Sequence, residues 1–271
     1  MPLNRAERQG FIAGMLGVVL ALVAQCWLEP LSGWQFAVAG IVITFGGVAA
    51  LRGFTRGWLA PGLLLGGPPS PAKYSAEEIR GRVVDEETEQ PLSGVTVAVT
   101  WDLRGGFHGG HIKWLNLADT VTDAKGEFYF PAWGPIRRPH GTTLHGDQPW
   151  LTFFAPRYYP SRLTNERGSY TDSLRRWYES GKDVTMIPFR GSDKEYATEI
   201  ETLAAEQYDR FFSFGTCDWE KLPRFLGAIY REAEGLRRKG ILEAPELNGF
   251  WGAAARKHSC HALSNVFGDM S

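Results

Sequence analysis

The run Val95-Thr-Val-Ala-Val-Thr-Trp101 alternates without a break, and that alternation restricts what the chain around it can become. Side chains two apart on a strand point the same way, so Val95, Val97, Val99 and Trp101 share one face and Thr96, Ala98 and Thr100 the other. One face is expected to be packed and the other wetter. Phe128 and Phe130 repeat the period, and Ile79–Val84 supplies an earlier strand. The turns between have their own chemistry. In Gln90-Pro-Leu-Ser-Gly94 the proline presets φ and the glycine admits φ > 0. Asp123-Ala-Lys-Gly126 has the composition of a short hairpin loop.

Three motifs in this stretch, Gly81-Arg-Val-Val-Asp85, Gln90-Pro-Leu-Ser-Gly-Val95 and Thr122-Asp-Ala-Lys-Gly-Glu-Phe128, resemble the carboxypeptidase regulatory-like domain. The resemblance covers residues 77–191 and implies a transthyretin-like antiparallel β-sandwich of about seven strands. That family's domains are mostly non-catalytic companions of something else, so the resemblance implies a binding module rather than an enzyme.

Two activities near that fold are excluded by residue type. A zinc carboxypeptidase carries a His-x-x-Glu metal pair, and none of the six histidines has Glu three residues on. The transthyretin-like hydroxyisourate hydrolase has a Tyr-Arg-Gly-Ser ending, which Phe189-Arg-Gly-Ser192 resembles. That enzyme also needs histidines where this chain has Arg82 and Gly181-Lys-Asp-Val184. Without an imidazole there, nothing activates water near neutral pH.

The chain outside the sandwich reads differently. No charged residue lies between Arg8 and Glu29, or between Glu29 and Arg52. The apolar cores Phe11–Leu28 and Trp34–Leu51 are eighteen residues each, a rise of about 27 Å that just crosses hydrocarbon. Residues 1–56 are therefore expected to form a transmembrane hairpin turning at Glu29-Pro-Leu-Ser-Gly33. A signal peptide is the alternative for the first segment, but a second span follows at once. Ala13, Gly17 and Ala21 make a small-residue stripe that lets a helix approach closely. Residues 57–76 form a Gly/Pro-rich linker. The expectation is an integral protein of a bacterial inner membrane. Arg5, Arg8, Arg52 and Arg56 place the soluble part in the cytoplasm by the positive-inside rule. The family resemblance implies the outside.

After Arg190 the period changes to that of helices, and residues 192–271 read as a helical subdomain of about three. Ser192 and Glu195 form a capping box. Leu222, Phe225, Leu226, Ile229, Ala233 and Leu236 line one stripe that ends on Arg237-Arg-Lys-Gly240. A third helix spans roughly 247–267. Within the sandwich, residues 102–119 read as a flexible insertion and 161–181 as irregular chain.

Candidate sites follow from residue type. His108 and His111 in one loop, with His140 and His145 in another, offer four imidazoles to a divalent metal if the loops meet; solvated loop histidines are the alternative. No other cofactor is implied. Cys26 falls inside the first apolar span, and Cys217 with Cys260 in one small subdomain suits a single disulfide, with two unrelated buried thiols as the alternative. His258 and His261 flank Cys260 and are the alternative ligand set. The cysteine pair favours an extracytoplasmic location. Arg137, Arg138, Tyr158, Tyr159 and Trp177 are candidates for contact with a ligand or partner, against a purely packing role. A net charge of −1 gives no field to recruit nucleic acid. The function expected is a membrane-anchored, non-catalytic β-sandwich that binds a partner protein or a cell-envelope glycan. The alternative is a metal- or ligand-dependent enzyme built on the loop histidines.

Overall fold

The structure, a computed structural model, describes residues 70–106, 109–242 and 247–268, with the side chains of 247–250 excepted. The chain divides into two units, Met1–Gly67 and Pro68–Ser271, and the description concerns the second. Both apolar spans lie outside the described residues, as does His108. No helix among the described residues is long and apolar enough to cross a membrane.

Among the described residues, eleven strands build three sheets. The largest contains β3 (Thr96–Gly105), β4 (Gly110–Val121), β8 (Trp150–Phe154) and β9 (Ser161–Thr164), in the order β4-β3-β8-β9. A short strand, β7 (Thr142–Leu144), pairs with the end of β3. The second sheet has the order β11-β2-β5, made of β2 (Ile79–Asp85), β5 (Glu127–Phe130) and β11 (Asp183–Met186). The third has the order β10-β1-β6, from β1 (Lys73–Ala76), β6 (Trp133–Arg137) and β10 (Leu174–Arg175). Not every pair is antiparallel, because β11 runs parallel to β2 and β10 parallel to β1.

The alternation of β3 does what its period predicts on one side. Val97, Val99 and Trp101 enter a sandwich-like core with Val83, Phe128, Phe130, Leu151 and Phe153. The Phe128 and Phe153 rings meet edge-on with centroids 5.6 Å apart. The two motif turns form as read. Asp123 Oδ1 accepts the N–H groups of Lys125 and Glu127 at 2.8 and 2.9 Å. Gly126 adopts φ 74°, where a Cβ would sit 2.5 Å from the Val83 carbonyl oxygen, so the turn needs glycine for both reasons.

The other side of β3 is a correction to the sequence reading. Thr96, Ala98 and Thr100 are as buried as their neighbours, at 6%, 1% and 1% exposure. A helical layer covers them. It consists of α1 (Asp193–Gln207), α2 (Pro223–Arg238), α3 (Leu247–Lys257) and α4 (Leu263–Phe267). A π-helical turn at Tyr208–Phe212 and a 3-10 turn at Asp218–Lys221 lie between α1 and α2. Ala98, Trp114, Leu117 and Phe154 of the large sheet share one apolar cluster with Ile200, Phe211, Phe225 and Trp251 of this layer. Strand β3 is therefore buried on both faces from Thr96 to Leu103.

Two further corrections concern the connections. Residues 102–119 are not an insertion but the body of a long hairpin, in which β3 and β4 pair from Thr96↔Val121 to Gly105↔Gly110. The glycine cluster is the tip of that hairpin. Residues 161–181 contain β9 and β10 rather than irregular chain throughout. The expected third helix is two, broken where Ser259 takes φ 57°. The start of α1 is as expected. Ser192 accepts from Glu195 N–H, and Glu195 accepts from the Ser192 N–H in return.

Candidate functional site

The functional candidate lies where the β3–β4 hairpin meets the π-helical turn. A cleft of about 390 Å³ opens there. Asp102 and Arg104 reach it from β3, His111 and Trp114 from β4, Trp150 from β8, and Arg210 from the π-helical turn. A π turn inserts one extra residue and so displaces the side chains after it, a device common at functional sites.

Asp102 is the organising group. It is 3% exposed, yet both carboxylate oxygens have partners. Oδ1 lies 2.5 Å from His111 Nδ1 and Oδ2 accepts from Arg104 Nε at 3.0 Å. Burial pushes its pKa up, but the hydrogen bond and charge of His111, followed by those of Arg104, outweigh this and hold it below the ordinary carboxylate value. His111 is clasped between aromatic rings, with the Trp114 centroid at 4.5 Å and that of Phe214 at 4.4 Å. With Nδ1 on the carboxylate, Nε2 is the ring's remaining polar atom.

Arg210 is a cation built into an aromatic wall. Its guanidinium carbon lies 5.0 Å from the Trp150 ring centroid and 5.5 Å from those of Trp114 and Phe211. It donates to Thr100 Oγ1 at 2.9 Å. Burial, then the neighbouring Arg162, pull its pKa down to about 10, so it stays charged at neutral pH. Arg104 lies over Trp150 as well, at 5.2 Å. Arg162 is loosely paired with Glu206 at 3.8 Å, both well exposed. The arrangement offers flat apolar faces, a half-exposed Phe214, and the guanidinium groups of Arg104, Arg162 and Arg210 interleaved with the carboxylates of Asp102, Glu206 and Asp209. No serine, threonine or cysteine is among its described lining residues.

Of the described loop histidines, the structure brings only His111 to this cleft. His145 packs against Tyr170 at 5.1 Å, and His140 lies between β6 and β7. Among the described residues, these three histidines form no metal-ligand group.

The aromatic and basic candidates are tied into different parts of the fold. Trp177 is 5% exposed in the sandwich core. The Tyr158 hydroxyl donates to Asp85 at 2.8 Å. Tyr159 packs on Phe189 at 5.0 Å. Arg138 donates to the carbonyls of Ser70, Pro71 and Thr142, fastening the start of the domain, while Arg137 is exposed on β6. Cys217 and Cys260 are joined by a disulfide with Cα atoms 5.5 Å apart.

Sequence reasoning passed over Asp102, Trp114, Trp150 and Arg210. The one local signal was Asp102 itself, a carboxylate directly after the apolar end of an alternating strand.

No family model matches the chain, and no curated protein matches it. Among solved structures, 3-chlorocatechol 1,2-dioxygenase from Rhodococcus opacus 1CP aligns at 15% identity and a TM-score of 0.28, over 67% of this chain and 98% of that one. The group B streptococcus pilus 2b backbone protein aligns at 11% and 0.24, over 42% of each chain. The shaft pilin SpaA from Lactobacillus rhamnosus GG aligns at 12% and 0.23, over 44% of this chain and 47% of that one. These are distant similarities to proteins with β-sandwich domains, and at such TM-scores they carry no argument about function.

Proposed function

We propose that the protein is a membrane-anchored, non-catalytic binding module of transthyretin-like, carboxypeptidase regulatory-like build, and that its Asp102–His111 cleft takes an acidic saccharide of the cell envelope. The observation that carries this reading is the placement of Arg210 against Trp114 and Trp150 inside the cleft. Indole faces stack on the C–H faces of sugar rings. Guanidinium groups pair with carboxylate or phosphate through two parallel hydrogen bonds. Asp102 already has its partners, so its role here is to hold Arg104 and His111 in place. The alternative enzyme reading rests on the single imidazole present.

Calorimetric titration of the full chain in detergent with a set of acidic and neutral envelope oligosaccharides tests this. Binding should favour the acidic members, weaken with salt, and fall roughly tenfold in Arg162→Ala and in Phe214→Ala. Both positions are solvent-accessible, so the fold should tolerate them. Equal affinity in both variants, or no binding across the set, overturns the assignment; a protein captured through the same cleft would replace the saccharide.

A further inference from the structure

The disulfide joins two segments that carry more ligand chemistry than a staple needs. Cys217 immediately precedes the 3-10 turn Asp218–Lys221, and Glu220 lies on that turn. One ligand atom from each of Cys217, Glu220 and Cys260 lies within 4.8 Å of the other two. Glu220 is itself held in place. Its Oε1 accepts the backbone N–H of His261 at 2.8 Å, and its Oε2 lies 2.9 Å from His261 Nδ1. All three ligand residues are partly exposed, so solvent and small reagents reach them.

We infer that the reduced form of this site binds a zinc-type divalent cation through Cys217 Sγ, Cys260 Sγ and a Glu220 carboxylate oxygen. His261 orients the carboxylate, and water completes a tetrahedral shell. Two thiolates and one carboxylate match the ligand preferences of zinc, whose bonds of about 2.0–2.3 Å place its ligand atoms roughly 3.5 Å apart. Reduction frees the two sulfurs from their bond, so they can separate to that spacing while the Glu220 oxygen already lies within 4.8 Å of both. The redox step is simple. A cellular dithiol passes two electrons and two protons to the S–S bond, giving two thiols here and one disulfide in the reductant. Metal binding then displaces the two thiol protons. The same two segments stay tied in either state, by a covalent bond in an oxidising compartment and by a metal in a reducing one.

The full chain in detergent is reduced with a phosphine under argon, where water supplies the oxygen of the phosphine oxide and the two thiol protons. After removal of the phosphine, Co²⁺ is titrated in. The expected result is tetrahedral cobalt absorption with a thiolate charge-transfer band, absent from the oxidised chain and from C217S/C260S, which keeps Cys26 as an internal control. Glu220→Gln should weaken binding by roughly tenfold or more. Reduced protein without those bands, or bands that persist in C217S/C260S, overturns the site. An unchanged affinity in E220Q overturns the carboxylate's part in it. Comparing oxidised and reduced wild-type protein keeps the test decisive even if a variant folds poorly.

Discussion

The carboxylate of Asp119, on β4, accepts the backbone N–H of Phe225 at 2.9 Å, 106 positions along the chain. It also accepts the N–H of Arg224 at 2.7 Å. Helix α2 begins at Pro223 behind Leu222, which offers no side-chain cap. The sheet therefore supplies the cap that the helix lacks, and places a negative charge at the positive end of its dipole. Asp119→Ala should destabilise the protein by roughly 1–3 kcal/mol. Asp119→Asn keeps an acceptor and should recover part of that. Chemical denaturation of the three proteins checks it, and an unchanged midpoint for the alanine variant would remove Asp119 from the docking of α2.

Asp119 and Asp102 should respond to pH in opposite directions. Burial raises the Asp119 pKa more than its backbone hydrogen bonds lower it. Its contribution to stability is thus largest in acid and falls as pH rises from its ordinary value of 3.8 through the raised one. The Asp102 pKa is lowered, so the stability it brings is present above 3.8 and is lost as pH falls through the folded value. Denaturation midpoints for wild type, Asp102→Asn and Asp119→Asn, from about pH 3 to pH 7, read this out. On acidification the wild-type advantage over Asp102→Asn should shrink, and its margin over Asp119→Asn should grow. Two differences moving in the same direction would show that the environment of one carboxylate is misassigned.

Much of the fold was legible because it is local. The Val95–Trp101 alternation, the Asp123–Gly126 turn, the Ser192–Glu195 capping box and the apolar stripe from Leu222 to Leu236 are all written within a few residues. What was missed depends on partners far away. Thr96, Ala98 and Thr100 are read as a wetter face because small and hydroxylated residues look alike under water and under a helix. Only the packed layer, with Arg210 donating to Thr100, distinguishes them. The cleft was hidden for the same reason. Asp102 and His111 are nine positions apart and meet only because β3 and β4 pair, with register shifts beside both residues. Arg210 arrives from 108 positions beyond Asp102 and 99 beyond His111.

Trp101 tests the inner face of the sheet. It is 1% exposed and meets Trp133 edge-on at 5.1 Å. Trp101→Ala should cost roughly 3–5 kcal/mol. Ala98→Leu tests the outer face, where the helices leave no room beside a 1% exposed alanine, and should cost roughly 1–3 kcal/mol by overpacking. Thermal melts of both variants are the measurement. A neutral Ala98→Leu would mean that the helical layer yields easily and that the outer face is not a packed interface.

Membrane attachment, and the side on which the domain lies, are predictions that two paired readouts decide. The apolar spans Phe11–Leu28 and Trp34–Leu51 predict that residues 1–56 hold the chain in the bilayer, and no described helix of the remainder is long and apolar enough to cross a membrane. Expression of residues 72–271 should therefore give a product that leaves the membrane fraction in a high-salt wash. The disulfide predicts that this part of the full chain lies in an oxidising compartment. In acid-quenched, denatured samples only one thiol in three should react before reduction. Closing that loop of 43 positions should be worth roughly 3–4 kcal/mol, so C217S/C260S should melt well below wild type without added metal. A reporter active only outside the cytoplasm, fused after Ser271, should be active in the same cells. Three reactive thiols together with a silent reporter would place the domain in the cytoplasm, as the arginines flanking the spans require by charge alone. The cysteines would then be reduced in the cell, the state in which the metal site is expected to fill.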